Sequence, residues 1–116
     1  MKIGDGSLIM PGVIINTGTI IGNHCIINTS ASIDHDNHFK HFSSCGPGVI
    51  TGGNVNVGNL SHVSIGSVIK NNINIGNNTV IGGNSFVNKN CKNNYFFYGT
   101  PIKKIKKKLI KENYLK

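Results

Sequence analysis

The sequence has no tryptophan and no arginine, and it is poor in charge. Only 14% of its 116 residues are charged, and four of them are Asp or Glu. These shortages exclude coiled coils, helical bundles rich in Glu, Lys and Leu, and acidic disordered tails. Asn and Ile are abundant instead, and Gly occurs 15 times. Turn-forming and β-branched residues therefore favour a single β domain with many tight turns.

Long apolar runs and paired cysteines are also missing. No stretch approaches the ~20 apolar residues of a membrane-spanning helix, and the opening segment MKIGDGS lacks the apolar core of a signal peptide. The 3 cysteines form neither an even set nor a CxxC pair, which favours a reducing compartment. We therefore expect a cytoplasmic protein with no membrane partner.

The formal net charge of +8 is concentrated at one end of the chain. Seven of the 12 lysines lie in residues 103–116, where Glu112 is the only acid. Without arginine or a platform of aromatic residues, the chain lacks the groups that recognise bases and phosphates, so we expect no nucleic-acid partner. The lysine-rich segment is expected to be a solvated surface. The alternative is that one or two of its lysines meet the phosphates of a nucleotide cofactor.

A strict six-residue repeat organises the sequence from Ile3 to Val87. Twelve of the fifteen positions spaced by six are Ile or Val. Three residues after these positions, Gly or Asn recurs, as at Gly6, Gly48 and Asn84, and both residue types tolerate the left-handed backbone of a corner. A period of six is neither that of a helix nor that of a flat strand. It predicts short strands joined by turns, each pointing one aliphatic residue inward.

This repeat resembles that of the hexapeptide-repeat acyltransferases. The resemblance implies an all-β fold, a left-handed parallel β-helix with three hexads in each coil. Fifteen hexads then give about five coils of 18 residues, and stacking them would bury a column of Ile and Val. We expect this β-helix acyltransferase domain to occupy residues 1–98.

The last part of the chain, residues 99–116, departs from the six-residue repeat. It begins with the turn sequence GTP at 99–101. Three apolar residues then recur at helical spacing: Ile102, Ile105 and Leu109. We therefore predict a short Lys-rich helix over residues 103–115 that caps the last coil.

Chemically useful side chains concentrate in the segment Asp34-His35-Asp36. A carboxylate beside a histidine fixes the imidazole tautomer and raises its basicity, so the combination suits a general base. The alternative is a surface histidine on a polar corner between two solubilising acids. Since three hexads complete a coil, His35 stacks between Thr17 and Gly53. No two histidines are separated by three hexads, so we expect no metal site within one subunit.

Residues 24–90 are similar to the sialic-acid O-acetyltransferase and UDP-amino-sugar N-acetyltransferase family. Three elements carry the resemblance: Ile27-Asn28-Thr29-Ser30-Ala31, the pair His35-Asp36, and the corner Gly52-Gly53. The final GTPIKKI is similar to the family's ending. The resemblance implies direct transfer of an acetyl group from acetyl-CoA to an amino or hydroxyl group of a sugar, with no metal. It also implies a homotrimer in which CoA lies in a groove between two subunits.

The same resemblance implies catalytic roles for three residues. His35 would remove a proton from the acceptor as the acceptor attacks the acetyl-CoA thioester, and Asp36 would orient His35 through a hydrogen bond. Gly53, one coil above His35, would offer its backbone N–H to the developing oxyanion. For Gly53, corner geometry alone is the alternative explanation.

Binding roles are implied for three further residues. Asn28 matches a family position that contacts the acceptor sugar, and Ile65 and Gly83 match positions that line the pantetheine groove. A polar turn residue at Asn28 and a corner glycine at Gly83 are the alternatives.

Two differences from the family pattern leave other functions open. Family members carry an N-terminal α/β domain that holds the nucleotide of a UDP-sugar, whereas this sequence starts inside the first hexad. A histidine common in relatives is replaced by Ser44. The alternatives are another acceptor, such as an antibiotic, a simple sugar or an amino acid, a non-catalytic structural or assembly module, and a fragment of a larger acyltransferase. Direct transfer needs no covalent intermediate, so Cys25, Cys45 and Cys91 are predicted to fill the interior.

Overall fold

A computed structural model describes residues 1–107 as a stack of very short strands joined by tight turns. Its first fifteen strands have two residues each and follow one another at intervals of six residues. These strands are β1 (Lys2–Ile3), β2 (Leu8–Ile9), β3 (Ile14–Ile15), β4 (Ile20–Ile21), β5 (Ile26–Ile27), β6 (Ser32–Ile33), β7 (His38–Phe39), β8 (Ser44–Cys45), β9 (Ile50–Thr51), β10 (Asn56–Val57), β11 (His62–Val63), β12 (Val68–Ile69), β13 (Asn74–Ile75), β14 (Val80–Ile81) and β15 (Phe86–Val87). Two longer strands follow, β16 (Tyr95–Gly99) and β17 (Ile102–Lys107).

The short strands pair in parallel at a spacing of three hexads, as Lys2 does with Ile20 and Asn56 with Asn74. The pairing produces three sheets. The first face contains β1, β4, β7, β10 and β13; the second contains β2, β5, β8, β11, β14, β16 and β17; the third contains β3, β6, β9, β12 and β15. The predicted all-β fold, a parallel β-helix of about five coils with three hexads in each, is confirmed.

The second residue of each strand points into the interior, where the column of Ile and Val forms the core. From the second coil onward these side chains are buried, and Phe39 is fully enclosed in the same column. The predicted corners are also confirmed, because Gly6, Gly48 and Asn84 have φ values of 70°, 68° and 53°. The three sheets form the faces of a triangular prism. Side chains within the turns are therefore presented at its three edges.

The regular stacking of hexads ends after β15. Ile75 bridges Cys91, and Val80 pairs with Phe96, so the offset between neighbouring coils falls short of three hexads here. Amide groups join the two coils, since Asn74 N–H donates to Asn90 Oδ1 at 2.8 Å. The last coil is thus shortened before β16 continues the second face.

The helix predicted over 103–115 is wrong for residues 103–107, which belong to β17, and residues 108–115 lie outside the described residues. β17 pairs antiparallel with β16 and covers its edge, so the backbone groups of β16 find partners. Ile102 of β17 is buried, at 2% exposure, whereas Ile105 is 58% exposed. Lys104 and Lys106 lie over the rings of β16, with Nζ 4.6 Å and 5.0 Å from the ring centroids of Tyr95 and Phe96.

Among residues 1–107, no helical segment has the length and apolar character that crossing a bilayer requires.

Candidate active site

His35 and Asp36 lie in the turn between β6 on the third face and β7 on the first face. We call the column of turns at this edge, residues 16–19, 34–37, 52–55 and 70–73, the His35 corner. The Nδ1 atom of His35 is 3.0 Å from Asp36 Oδ2, and the two side chains are 55% and 63% exposed. Since a carboxylate only accepts hydrogen bonds, this contact keeps the proton of a neutral imidazole on Nδ1 and leaves Nε2 as a base.

The two acids that flank His35 have different contacts. Asp34 builds the turn: its Oδ1 accepts from His35 N–H at 2.8 Å and from Asn16 Nδ2 in the coil below at 3.2 Å. Asp36 contacts the imidazole ring itself. The structure therefore brings His35 and Asp36 together as a side-chain pair, whereas the contacts of Asp34 hold the turn in place.

Gly53 lies directly against the imidazole ring. A Cβ placed on Gly53 would overlap His35 Nε2 and lie 2.5 Å from Cε1, so a side chain here would displace the ring. Gly53 is buried, and its backbone N–H has no hydrogen-bond acceptor within residues 1–107. The same turn position at Ile65 and Gly83 also has an unpaired N–H among the described residues, so what distinguishes Gly53 is the imidazole ring beside it. The structure thus sets a free imidazole nitrogen beside an unused N–H donor.

Sequence reasoning missed Asn37, the residue that joins these two groups. It is 1% exposed, and its Nδ2 donates to His35 O and to Gly52 O, both at 3.0 Å. The signal was present in the repeat, because Asn37 is the one amide at an inward corner position otherwise taken by small or aliphatic residues.

The other three predicted site residues, Asn28, Ile65 and Gly83, lie at a different edge of the prism. We call the column of turns at that edge, residues 28–31, 46–49, 64–67 and 82–85, the Ile65 corner. Ile65 and Gly83 are neighbours in it, where a Cβ built on Gly83 would lie 3.3 Å from Ile65 Cγ2. Asn28 lies two coils lower, and its Oδ1 accepts from Thr29 N–H at 2.8 Å within its own turn.

The strands of the third face separate the Ile65 corner from the His35 corner. One chain therefore does not bring Asn28, Ile65 and Gly83 together with His35. The stacking of coils predicted the neighbours within each column, but not this separation.

The surface between the two corners is apolar. The outward residues of the third face include three exposed aliphatic side chains: Ile14, Ile50 and Val68. Ile65 is exposed at the adjoining edge. A groove of about 520 Å³ lies elsewhere, on the first face, with His38, Lys40 and Asn56 in its lining, and neither His35 nor Asp36 lines it. On one chain the His35 pair thus stands at an open edge beside an apolar face.

Two other histidines are less basic than usual. Burial lowers the pKa of His62, whose Nδ1 is 2.7 Å from Ser44 Oγ on the second face. Burial, followed by the charges of Lys40 and His41, lowers the pKa of His38. Within residues 1–107, no group of three or more His, Cys, Asp or Glu side chains is arranged to hold a metal ion.

The three cysteines lie in the interior, as the sequence predicts, and all are free thiols. Burial raises the pKa of Cys45 and of Cys91 to about 12 in each case. The thiolate is the nucleophilic form of cysteine. These two residues therefore have little nucleophilic character at neutral pH.

Alkylation of Cys45 and Cys91 by iodoacetamide at pH 8 is expected to be slow in the folded protein. A rise in pKa from 9.0 to about 12 lowers the thiolate fraction by about a thousandfold. Mass spectrometry of labelled peptides, with and without denaturant, measures the difference. Rapid labelling of either residue in the folded protein would contradict the interior assignment.

Comparison with known proteins agrees with the fold. Residues 1–35 match the family described as bacterial transferase hexapeptide (six repeats). The acetyltransferase domain of PglB from Neisseria gonorrhoeae FA1090, in complex with acetyl coenzyme A, is similar with a TM-score of 0.87 and 24% identity, over 90% of this chain and 51% of that chain. A histidine-to-alanine variant of GDP-perosamine N-acetyltransferase from Caulobacter crescentus, in complex with CoA and GDP-perosamine, is similar with a TM-score of 0.81 and 25% identity, over 90% of this chain and 53% of that chain.

A maltose O-acetyltransferase from Clostridium difficile 630 is also similar, with a TM-score of 0.75 and 19% identity, over 93% of this chain and 70% of that chain. The chain therefore has the β-helix fold of these acetyltransferases. It spans about half the length of the PglB domain and of the perosamine N-acetyltransferase.

Proposed function

We propose that this protein is an acetyl-CoA-dependent acetyltransferase that modifies an amino or hydroxyl group of a sugar, either a nucleotide amino sugar or a sialic-acid-like sugar. One observation carries the proposal. His35, with Nδ1 held by Asp36, presents Nε2 beside the unused N–H of Gly53. A base beside an oxyanion donor is the arrangement that acyl transfer requires. The acetyl-CoA and CoA complexes of the similar structures support acetyl-CoA as the co-substrate.

The proposed reaction is a direct transfer. The acceptor nitrogen or oxygen attacks the thioester carbonyl carbon while His35 Nε2 takes its proton, and Asp36 stabilises the imidazolium that forms. Gly53 N–H donates a hydrogen bond to the oxyanion of the tetrahedral intermediate. When the intermediate collapses, the carbon–sulfur bond breaks and the CoA thiolate takes the proton from His35. The new amide or ester leaves the protein unmodified.

We propose that the active unit is a homotrimer. The His35 corner and the Ile65 corner flank the third face, so side-by-side packing of prisms can set the His35 corner of one subunit against the Ile65 corner of the next. The exposed aliphatic residues of the third face suit such an interface. Asn28 would then contact the acceptor, and Ile65 and Gly83 would line the pantetheine groove. Free cysteines support a cytoplasmic location.

Turnover in the presence of defined acceptors tests the proposed function. Purified protein is incubated with acetyl-CoA and a panel of nucleotide amino sugars and sialic acids. We expect release of the CoA thiol together with an acetylated sugar detected by mass spectrometry. A non-catalytic structural or assembly module would release no CoA above the rate without protein, whichever acceptor is present.

A further inference from the structure

We propose that Asn37 is a positioning residue for acetyl transfer, because its buried amide holds the Gly52–Gly53 peptide in register with His35. The catalytic part of this inference rests on the proposed function. The structural part does not, since it concerns hydrogen bonds between residues of this chain.

Asn37 occupies a position that recurs in every turn of the prism. Fifteen residues take this inward corner position: Ser7, Val13, Thr19, Cys25, Ala31, Asn37, Ser43, Val49, Val55, Ser61, Ser67, Ile73, Thr79, Ser85 and Cys91. The other members are small, hydroxyl-bearing or aliphatic, and one amide stands among them. That amide directly follows the His35-Asp36 pair in the sequence.

The hydrogen bond to Gly52 acts on the proposed oxyanion donor. Gly52 C=O and Gly53 N–H belong to one planar peptide group, so fixing the oxygen also fixes the direction of the N–H. Asn37 Nδ2 donates to Gly52 O at 3.0 Å. A donor at the carbonyl also polarises the peptide and strengthens its N–H as a donor.

The second hydrogen bond ties the same amide to the residue that carries the base. Asn37 Nδ2 donates to His35 O at 3.0 Å, and that oxygen also accepts from Asn54 N–H at 2.9 Å. His35 and Gly53 lie in successive coils, and the two bonds of Asn37 connect their turns. One buried amide thus sets the distance between the base and the oxyanion donor.

The Asn37 side chain carries a destabilising feature, so packing alone does not explain why an amide occupies this position. Its Oδ1 is buried without a hydrogen-bond partner among the described residues, and an unpaired buried acceptor is destabilising. Thr79, at the same position in another turn, bridges two coils without that cost. Its Oγ1 donates to Lys92 O at 2.7 Å and lies 3.1 Å from Asn77 O. A hydroxyl would therefore meet the structural need.

The test compares Asn37→Val with Thr79→Val, which removes an equivalent bridge far from His35. For Asn37→Val we expect kcat to fall at least about tenfold, with KM for acetyl-CoA and the melting temperature little changed. The ¹⁵N chemical shift of the Gly53 amide should move, because its peptide loses a donor at the carbonyl. Thr79→Val should change neither kcat nor the Gly53 signal.

An unchanged kcat in Asn37→Val, in a protein whose unaltered form turns over, would overturn the inference and leave the proposed function intact. An unmoved Gly53 signal would overturn it as well, even if kcat fell. Absence of turnover in the unaltered protein would overturn the proposed function and the catalytic role together. If Asn37→Val does not fold, Asn37→Ala, which also lacks a donor and is the residue type found at position 31, serves for the same measurements.

Discussion

Replacing His35 with Ala is expected to lower kcat by about a hundredfold or more, the range that a positioned general base contributes. The variant keeps acetyl-CoA and acceptor in place but leaves no group to take the acceptor proton. Because the His35 side chain is 55% exposed and its one hydrogen bond within residues 1–107 is to Asp36, the melting temperature should stay close to that of the unaltered protein. Steady-state release of the CoA thiol measures the effect.

His24→Asn is the matched control for His35→Ala. His24 is also an exposed corner histidine, stacked on Phe42 with ring centroids 5.2 Å apart, but it lies at the edge between the first and second faces. Its φ of 56° is one that Asn adopts readily. The control should retain activity. Equal activity of His35→Ala and the unaltered protein would show that His35 is not the base.

Replacing Gly53 with Ala is expected to produce a loss of similar size for a different reason. The new Cβ would overlap Nε2 of His35 and push the ring away from the place where the acceptor and the oxyanion meet. Displacement of a catalytic group by about 1 Å can cost on the order of a hundredfold in rate. The ring can swing into solvent, so we expect a large fall in kcat with little loss of thermal stability.

Gly6→Ala separates this effect from a general intolerance of alanine at the corners. A Cβ on Gly6 would likewise overlap an exposed histidine, His24, and the φ of 70° adds backbone strain. This control should lose more stability than Gly53→Ala and yet keep its activity. If Gly53→Ala retained full activity, the close approach of Gly53 to His35 would have no part in catalysis.

The six-residue repeat predicted the short strands and their turns because every strand obeys the same local rule, and the resemblance to the hexapeptide-repeat acyltransferases supplied the three hexads in each coil. An aliphatic residue points inward, Gly or Asn turns the corner, and pairing at a spacing of three hexads follows from three strands per coil. The same arithmetic correctly placed Gly53 one coil above His35. Such agreement between local pattern and global structure is what makes a repeat protein readable from its sequence.

The parts that sequence reasoning missed depend on contacts between distant segments. Spacing alone favoured a helix after residue 102, but the open edge of β16 is better satisfied by a strand. The repeat marks Asn37 as the one amide at an inward corner position, but its hydrogen-bond partner, a carbonyl in the next coil, is evident only in the structure. Separation of the His35 corner from Ile65 becomes evident only when the turns are assigned to edges of the prism.

Calorimetric titration of acetyl-CoA into the unaltered protein, after its oligomeric state has been measured by sedimentation, tests the central claim most directly. We predict saturable binding of one acetyl-CoA per subunit by a trimer. Absence of binding by an intact trimer would contradict an acetyl-CoA-dependent acetyltransferase and leave the prism a structural module.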